Sequence, residues 1–590
     1  MQPKTPILLC ILAAILLLNP TQGAILRVSD TGDGSDGLSW QTAFRKPSDA
    51  MASASNGDEI WIKEGTYNDR SVVTSSISLY GGFEGVENET DFGSRDPGSR
   101  PTIIDGSGLG DSVMVFTDIS EATVDGLTIT GGEALFGGGI RMSGTHLVVY
   151  DCVFEKNKAQ TLGGALYVSS NSFLDISGTV IKDNSATSDA NNCGGGGIAI
   201  GSNSHAAIAK LRFRGNYALC RGGALYVASF VNSSAEVSDC LFAYNWSDGP
   251  GHAIHGEVIV YSSLFHENGN PTDPKTETLS GAGESLISDS TIRYSYGGGI
   301  KNFKGGIERC HIIENRGIGI SSAFTLIAHS EIIGNHIGVQ MATSVLTDSM
   351  IANNDGEGIS GGGEISRCTI SGNGNGGIVV NEPSIIETCL VSGNSAFNGG
   401  GVSLDPDGTL LKYCTIADNT AEESGGGLFV RPHSTGVEEI PPVVNSCVIA
   451  SNRGNPSNSA NIGHSTFGPG PGSEPSGPPN VSYSFVGGGF EGDGNVNGTS
   501  PFVNAAKGDF QLLIDSPCID SASTNGPGAD LDGRIRPIDI TGIGREGPGA
   551  FDMGAFEFDY SRADLNEDGK VDELDLMIFQ QDWYRQIEIQ

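Results

Sequence analysis

Near its C-terminal end the sequence runs Asp564-Leu565-Asn566-Glu567-Asp568-Gly569-Lys570-Val571-Asp572-Glu573-Leu574-Asp575. Counted from Asp564, side-chain oxygens fall at positions 1, 3, 5, 9 and 12, from Asp564, Asn566, Asp568, Asp572 and Asp575. Lys570 at position 7 can offer its backbone carbonyl, and Gly569 at position 6 permits the sharp turn such a loop needs. Hard oxygen ligands at this spacing suit Ca2+, which is the expected cofactor. Leu574, Leu576, Ile578, Phe579 and Trp583 then form an apolar stripe at helical spacing.

A second constellation is Arg309, His311, His329, Glu331 and Arg367, with Asp348 among them. These residues flank a recurring Cys or Ser slot. If that slot points inward, alternation turns its two neighbours outward on one face. There His311 would stand beside Glu331. An Arg, Lys or His on such a face can abstract a proton α to a carboxylate, and paired carboxylates can hydrolyse a glycoside. The same set can also simply hold a glycan, and Tyr167 and Tyr226 form a second outward column suited to sugar stacking. Catalytic residues stay unassigned.

Other patterns carry no chemistry. Gly32, Gly34 and Gly37 fit a dinucleotide fingerprint, but no strand precedes them and no long helix follows. The GISGG around Ser360 lacks the helix that a nucleophile elbow requires. His252 and His255 form no HExxH.

The elements that would position these groups come from a repeat. Cys152, Cys240, Cys310, Cys368, Cys389, Cys414 and Cys447 share the frame Cys-x-apolar-x-x-Asn. The same slot accepts Thr179, Leu211, Ser263, Ser330 and Ser349, so it is a buried packing position and most cysteines of the mature chain are expected as free thiols. The asparagine recurs at Asn157, Asn184, Asn216, Asn245, Asn268, Asn315, Asn335, Asn354, Asn373, Asn394, Asn419 and Asn452, with Ser295 in the one gap, at an average period of about 25 residues. Gly-rich turns lead into short alternating strands at Ile140, Leu166, Ile198, Leu225, Ile300, Val402 and Leu428. A period of this size, filled by short strands, defines an all-β, right-handed, single-stranded parallel β-helix, a β-solenoid. Its turns should stack side chains into ladders, with the asparagine at a left-handed turn.

Composition agrees. Gly supplies 87 of 590 residues, about twice average usage, which argues against a mostly helical chain. The net charge of −37 argues against nucleic acid or an anionic membrane surface as partner. Lys4, the apolar run from Ile7 to Leu18 and Thr21-Gln22-Gly23 read as a secretory signal peptide, and no later segment is apolar enough to span a membrane.

These units resemble the parallel β-helix repeats of pectate-lyase-like proteins, and the GGA[IL] and FxxN pairs resemble those of chlamydial polymorphic outer-membrane proteins. The stretches DTGDGSDGLSWQTAF, GDEIWIKEGTYND and LYGGFEGVENETDF resemble the start of secreted bacterial β-helix proteins, which implies a capping helix near Pro47 to Ala54. The run from Pro501 to Ser523, with DLDGRIRP and FDMGAFEF, resembles their closing module in planctomycete-like bacteria. The terminal loop is similar to an EF-hand, and Asp575 at position 12 makes it similar to a dockerin. A type I dockerin has two such repeats and this chain has one, which argues against a cohesin-type partner.

The expected organisation is a signal peptide over 1–23, an N-terminal cap and first coils over 24–125, β-helix repeats over 126–487, a closing module over 488–560 and a calcium loop with its helix over 561–590. The expected function is that of a secreted or cell-surface protein binding an extracellular polysaccharide, or adhesive. The alternatives are a polysaccharide lyase or glycoside hydrolase, and a structural envelope protein.

Overall fold

The computed structural model describes residues 23–559 and Met577, apart from 189–192, 229–231, 273–275, 435–438, 456–459 and 466–472. The signal peptide and the calcium loop of the sequence reading lie outside the described residues.

One coil shows how the sequence makes the fold. Leu166–Ser169, Phe173–Ser177 and Val180–Lys182 are three short strands, each with alternate residues buried. Ser170 and Asn171 turn the first corner, Gly178 the second and Asp183 the third, all at positive φ. The next coil lies parallel and in register, with Leu166 beside Ile198, Leu174 beside Ala206 and Ile181 beside Phe213. Repetition of this unit gives three long parallel ladders, which we call faces I, II and III in chain order. The protein is a parallel β-helix. A shorter parallel ladder, from Glu133–Phe136 to Trp246–Ser247, adds a fourth side to five of the coils.

No coil can bury its inward side chains alone, so the core is a set of ladders running the length of the rod. Phe213, Phe242 and Phe265 stack face to face at centroid distances of 4.5 and 4.7 Å. The asparagines form a hydrogen-bonded column: Asn335 Nδ2 donates to Ile312 O at 2.9 Å, and Asn335 Oδ1 accepts from Asn315 N at 3.1 Å and Asn315 Nδ2 at 2.9 Å. Contrary to the expectation, these asparagines are not the left-handed residues. The residue before each takes that conformation, as Lys156, Asp183, Tyr244, Glu314 and Asp418 do. That turn swings the amide into the core, where it bonds the coils above and below.

The Gly-rich turns follow from the same column. Gly319 has no Cβ because one would stand 3.1 Å from Asn335 Nδ2 and 2.7 Å from Gly338 O. Where Ser295 replaces asparagine, Thr278 occupies the facing position, and its hydroxyl donates to Ser295 Oγ at 2.6 Å. Polar satisfaction of the column is thus restored by a different pair.

The cysteine slot is also a hydrogen-bonding ladder. Cys414 N donates to Cys447 Sγ at 3.4 Å, and Cys310 N to Ser330 Oγ at 3.1 Å. A thiol or hydroxyl that accepts the N–H of the coil before explains why Cys, Ser and Thr interchange there. Among the described residues eight cysteines are free and buried, the seven of the ladder and Cys518. Cys193 and Cys220 depart from the free-thiol pattern and form a disulfide. Both lie outside the ladder, at the same place before the Gly-rich turn in successive coils.

The N-terminal end is covered by the helix Pro47–Ser53, which buries Pro47, Ala50 and Met51 over the first coil. At the other end Phe490 packs on the core. The following residues fold back along the rod instead of extending it. Phe502, Phe510, Ile519 and Met553 pack on Tyr413, Ala417 and Val448 of the last coils. Gly554, at φ 92, brings this module against the rod, where a Cβ would lie 2.7 Å from Thr415 Oγ1.

Candidate functional site

The residues singled out in the sequence lie on the outside of face III and on the corner that leads into it. His311, Glu331 and Met350 are opposite one another in successive strands, as the alternation requires. Arg309, His329, Asp348 and Arg367 differ from the expectation. They are corner residues at φ 49, 51, 50 and 47, not strand residues, so they form a separate row along the rim of the face. Positive φ at non-glycine residues is unusual, and here it is imposed coil after coil by the single-residue corner.

Each row is closed by coil-to-coil pairs. Arg309 Nε and Nη2 donate to the two oxygens of Asp289 at 2.7 and 2.9 Å, and Nη1 donates to Glu308 at 3.1 Å. Arg367 Nε and Nη2 donate to Asp348 at 2.7 and 2.6 Å, with Thr347 Oγ1 at 3.0 Å. His311 Nδ1 lies 2.9 Å from Glu331 Oε2. Hydrogen bonding from Arg309 holds the Asp289 carboxyl below the usual carboxylate range. Burial pushes Asp348 the other way, but the bonds from Arg367 and Thr347 prevail and lower it as well. Fork-to-carboxylate pairs of this kind are rigid and present donors and acceptors together.

The folded-back module makes this face concave. Leu531 and Phe556 line an open recess of about 530 Å³ together with His329, Glu331, Asp348 and Arg367. Ala555 N donates to Thr415 Oγ1 at 3.0 Å, which fixes the wall to the rod. Sequence reasoning missed this wall, although DLDGRIRP and FDMGAFEF, which contain Leu531 and Phe556, had already been singled out. The aromatic column fares differently. Tyr226 is buried beside Leu162 and Ala199, and Tyr167 is half-buried against Phe136, so this pair is not an exposed stacking platform.

Among the described residues no group of His, Cys, Asp and Glu side chains is placed to hold a metal ion. The expected ligands Asp564, Asn566, Asp568, Lys570, Asp572 and Asp575 lie outside the described residues. No described helix is long and apolar enough to cross a membrane.

The repeat of the Chlamydia polymorphic membrane protein family matches residues 151–169. No curated protein matches the chain. Among solved structures, the chain is similar to a mannuronic-acid-specific polysaccharide family 6 lyase from human gut microbiota, with 11% identity over 64% of this chain and 81% of that one and a TM-score of 0.26. It is also similar to the pectate lyase Pel9A, with 12% identity over 91% of this chain and 96% of that one and a TM-score of 0.18. A third is PfbA, a surface adhesin of Streptococcus pneumoniae, with 10% identity over 67% of this chain and 92% of that one and a TM-score of 0.18. Superpositions this loose transfer no site, so the chemistry rests on this chain's own residues.

Proposed function

We propose that this is a secreted or cell-surface protein whose rod binds an extracellular polysaccharide along face III without cleaving it. The observation that carries the reading is the recess beneath Leu531 and Phe556, floored by the Arg367–Asp348 pair with His329 and Glu331 beside it. Paired donors and acceptors, repeated at the coil spacing of about 4.8 Å, match a ligand that offers hydroxyls at regular intervals. Binding is favoured over catalysis because both arginines of the set are held by carboxylates. Those carboxylates hold both guanidinium groups still more firmly protonated, so neither arginine is placed to take a proton from a substrate.

Export is supported by the signal-like N-terminal sequence and by the Cys193–Cys220 disulfide, a bond that persists in oxidising compartments. The matched repeat is one described from membrane proteins of the Chlamydia polymorphic type. Calcium held by the loop from Asp564 to Asp575 belongs to the same proposal.

The test is retention of the mature chain on a panel of immobilised polysaccharides, with parallel assays for unsaturated uronate absorbance and for new reducing ends. Retention without product supports the reading. Product formation would replace it with an enzyme, and absence of retention on every polysaccharide would remove it. If the recess is the site, Arg367→Ala weakens retention without changing the circular dichroism spectrum, and Arg309→Ala extends the test to the rest of the rim.

A further inference from the structure

Upstream on face III the surface changes sign. Lys210, Arg212 and Arg214 belong to one coil, and Arg293 stands three coils further on in the row Arg214, Ala243, His266, Arg293. Three steps of about 4.8 Å separate Arg214 from Arg293 by roughly 14 Å along the rod. Several other basic residues on the rod are neutralised by a neighbouring coil, as Lys182 is by Glu155, Lys301 by Glu277 and Lys412 by Glu387. Lys210, Arg212, Arg214 and Arg293 make no ion pair with any described carboxylate. Two acids lie among them: Asp289, already taken by Arg309, and Asp239, in the coil next to Lys210. In a chain of net charge −37 these four cations outnumber the one carboxylate among them, Asp239, that no arginine or lysine holds.

The cations border a groove of about 730 Å³ lined by Lys210, Arg212, Leu241, Leu264 and Arg293, with Asp239 and Asp289 also on its lining. Its floor is the apolar pair Leu241 and Leu264, side by side in adjacent strands. Its edge is a run of rings. The Arg214 guanidinium lies 5.5 Å from the Tyr244 ring, His266 meets Tyr244 and Tyr294 edge-on at 6.2 and 5.6 Å, and Arg293 lies 5.6 Å from Tyr294. Tyr244 and Tyr294 are 42% and 41% exposed, and Arg293 Nε is buried with no hydrogen-bond partner. Apolar floor, exposed phenol rings and a cationic rim together fit the two surfaces of a charged sugar, its C–H faces and its anionic substituents.

We propose that this groove is an anion-binding subsite for a polysaccharide carrying carboxylate or sulfate groups, lying along the rod over the coils between Lys210 and Arg293. The inference rests on the polysaccharide-binding reading and adds to it the charge class of the ligand and a second place where the ligand is held. The full mature chain is passed over immobilised polygalacturonate, dextran sulfate and uncharged dextran at low and high salt. Retention on one or both anionic supports, lost at least tenfold in Arg212→Ala/Arg293→Ala and weakened by raised salt, is the expected result. The anionic support that retains the chain identifies carboxylate or sulfate as the recognised group. Lys210→Glu, a second variant at an exposed corner, should lose retention in the same order. Undiminished retention of these variants would overturn the subsite and leave polysaccharide binding intact. Retention on dextran alone would overturn the anionic class, and retention on none of the supports would overturn both readings.

Discussion

Arg536 Nε donates to Glu557 Oε2 at 2.7 Å, and both side chains are wholly buried. Arg536 also gives Nη1 to Gly554 O and Nη2 to Asp552 O, and its guanidinium lies 4.9 Å from the Tyr413 ring of the rod. One charge pair therefore ties together the folded-back module and the surface it covers. Removing one partner strands the other charge in the interior, at a cost of about 3–5 kcal/mol. Arg536→Ala should release the module while the coils stay folded. Hydrogen exchange would show protection lost over residues 502–558 and kept at the Asn ladder. Unchanged protection of the module would contradict this role.

The same module should respond to acid in an unusual direction. Asp520 is buried, its Oδ2 accepts from Ile540 N at 2.9 Å, and its Oδ1 has no partner. Burial, helped by Asp539, Glu557 and Glu546, pushes its carboxyl up to about 6. The folded state thus holds this proton more tightly than the unfolded one, whose carboxyl titrates near about 3.9. The contribution is fully present below the unfolded value and is lost as the pH rises through about 6. Buried Asp552 and Glu557 are also raised, so they add in the same sense. The module should melt higher at pH 5.5 than at pH 8, and Asp520→Asn should flatten part of that slope. A melting curve independent of pH in both proteins would refute the assignment.

The asparagine column offers a stability test in the rod. Asn335→Ala leaves the Asn315 backbone N–H without its partner in the core and removes one of the bonds of the Asn315 side chain, which keeps Ile292 O. At about 1–3 kcal/mol for a buried group left unsatisfied, a loss of that order is expected in urea unfolding. Asn335→Ser should not rescue it, because Gly319 and Gly338 flank the position where Thr278 serves Ser295. A loss below about 1 kcal/mol for the alanine variant would mean that the column is ornamental to stability.

These columns explain what could be read in advance. The Cys-x-apolar-x-x-Asn frame encodes an inward slot, a strand and a corner, so the period, the parallel ladders and the buried thiols follow from residue types alone. The Pro47–Ser53 helix was equally legible from its neighbouring sequence. Side-chain direction at the corners was not. Alternation holds only within a strand, and Arg309 and Arg367 sit where a single left-handed residue breaks it. Asp289, which neutralises Arg309, lies 20 residues away in sequence and only one coil away in space. The wall made by Leu531 and Phe556 was hidden for a related reason, since nothing in a local pattern says that the chain reverses along its own flank. Cys193 and Cys220 left a fainter signal, their shared position before the Gly-rich turns, which a comparison limited to the Asn-centred frame passes over.

The thiol pattern gives a direct chemical count. Burial pushes the Cys152, Cys240, Cys310 and Cys518 thiols up to about 12, so in the native protein they should be inert to thiol reagents at neutral pH. Unfolding without reductant should expose eight reactive thiols in the mature chain, and reduction should add the two of Cys193 and Cys220. A disulfide within the Cys368, Cys389, Cys414, Cys447 run would contradict the ladder, in which each of these thiols donates to a backbone carbonyl and Cys447 Sγ also accepts from Cys414 N.

The calcium loop makes the last prediction, and it comes from the sequence. Asp564, Asp568, Asp572 and Asp575 bring four carboxylates within twelve residues, with Asn566 and the Lys570 carbonyl beside them. Without a cation these carboxylates repel one another, which opposes the helix that would start at Asp572 and carry Leu574, Ile578 and Trp583. Calcium removes the repulsion and fixes the helix start, so folding of this segment should track occupancy. Extracellular sites of this type bind at about 10⁻⁴ to 10⁻³ M. Trp583 is one of four tryptophans and reports locally on the transition. Calcium should therefore shift tryptophan fluorescence and protect the Arg585 bond from trypsin. Asp564→Ala and Asp575→Ala should abolish both effects. The rod is held by stacked coils and not by this loop, so a chelator should leave its far-ultraviolet circular dichroism unchanged. A titration in which neither fluorescence nor cleavage at Arg585 responds to calcium would remove the site.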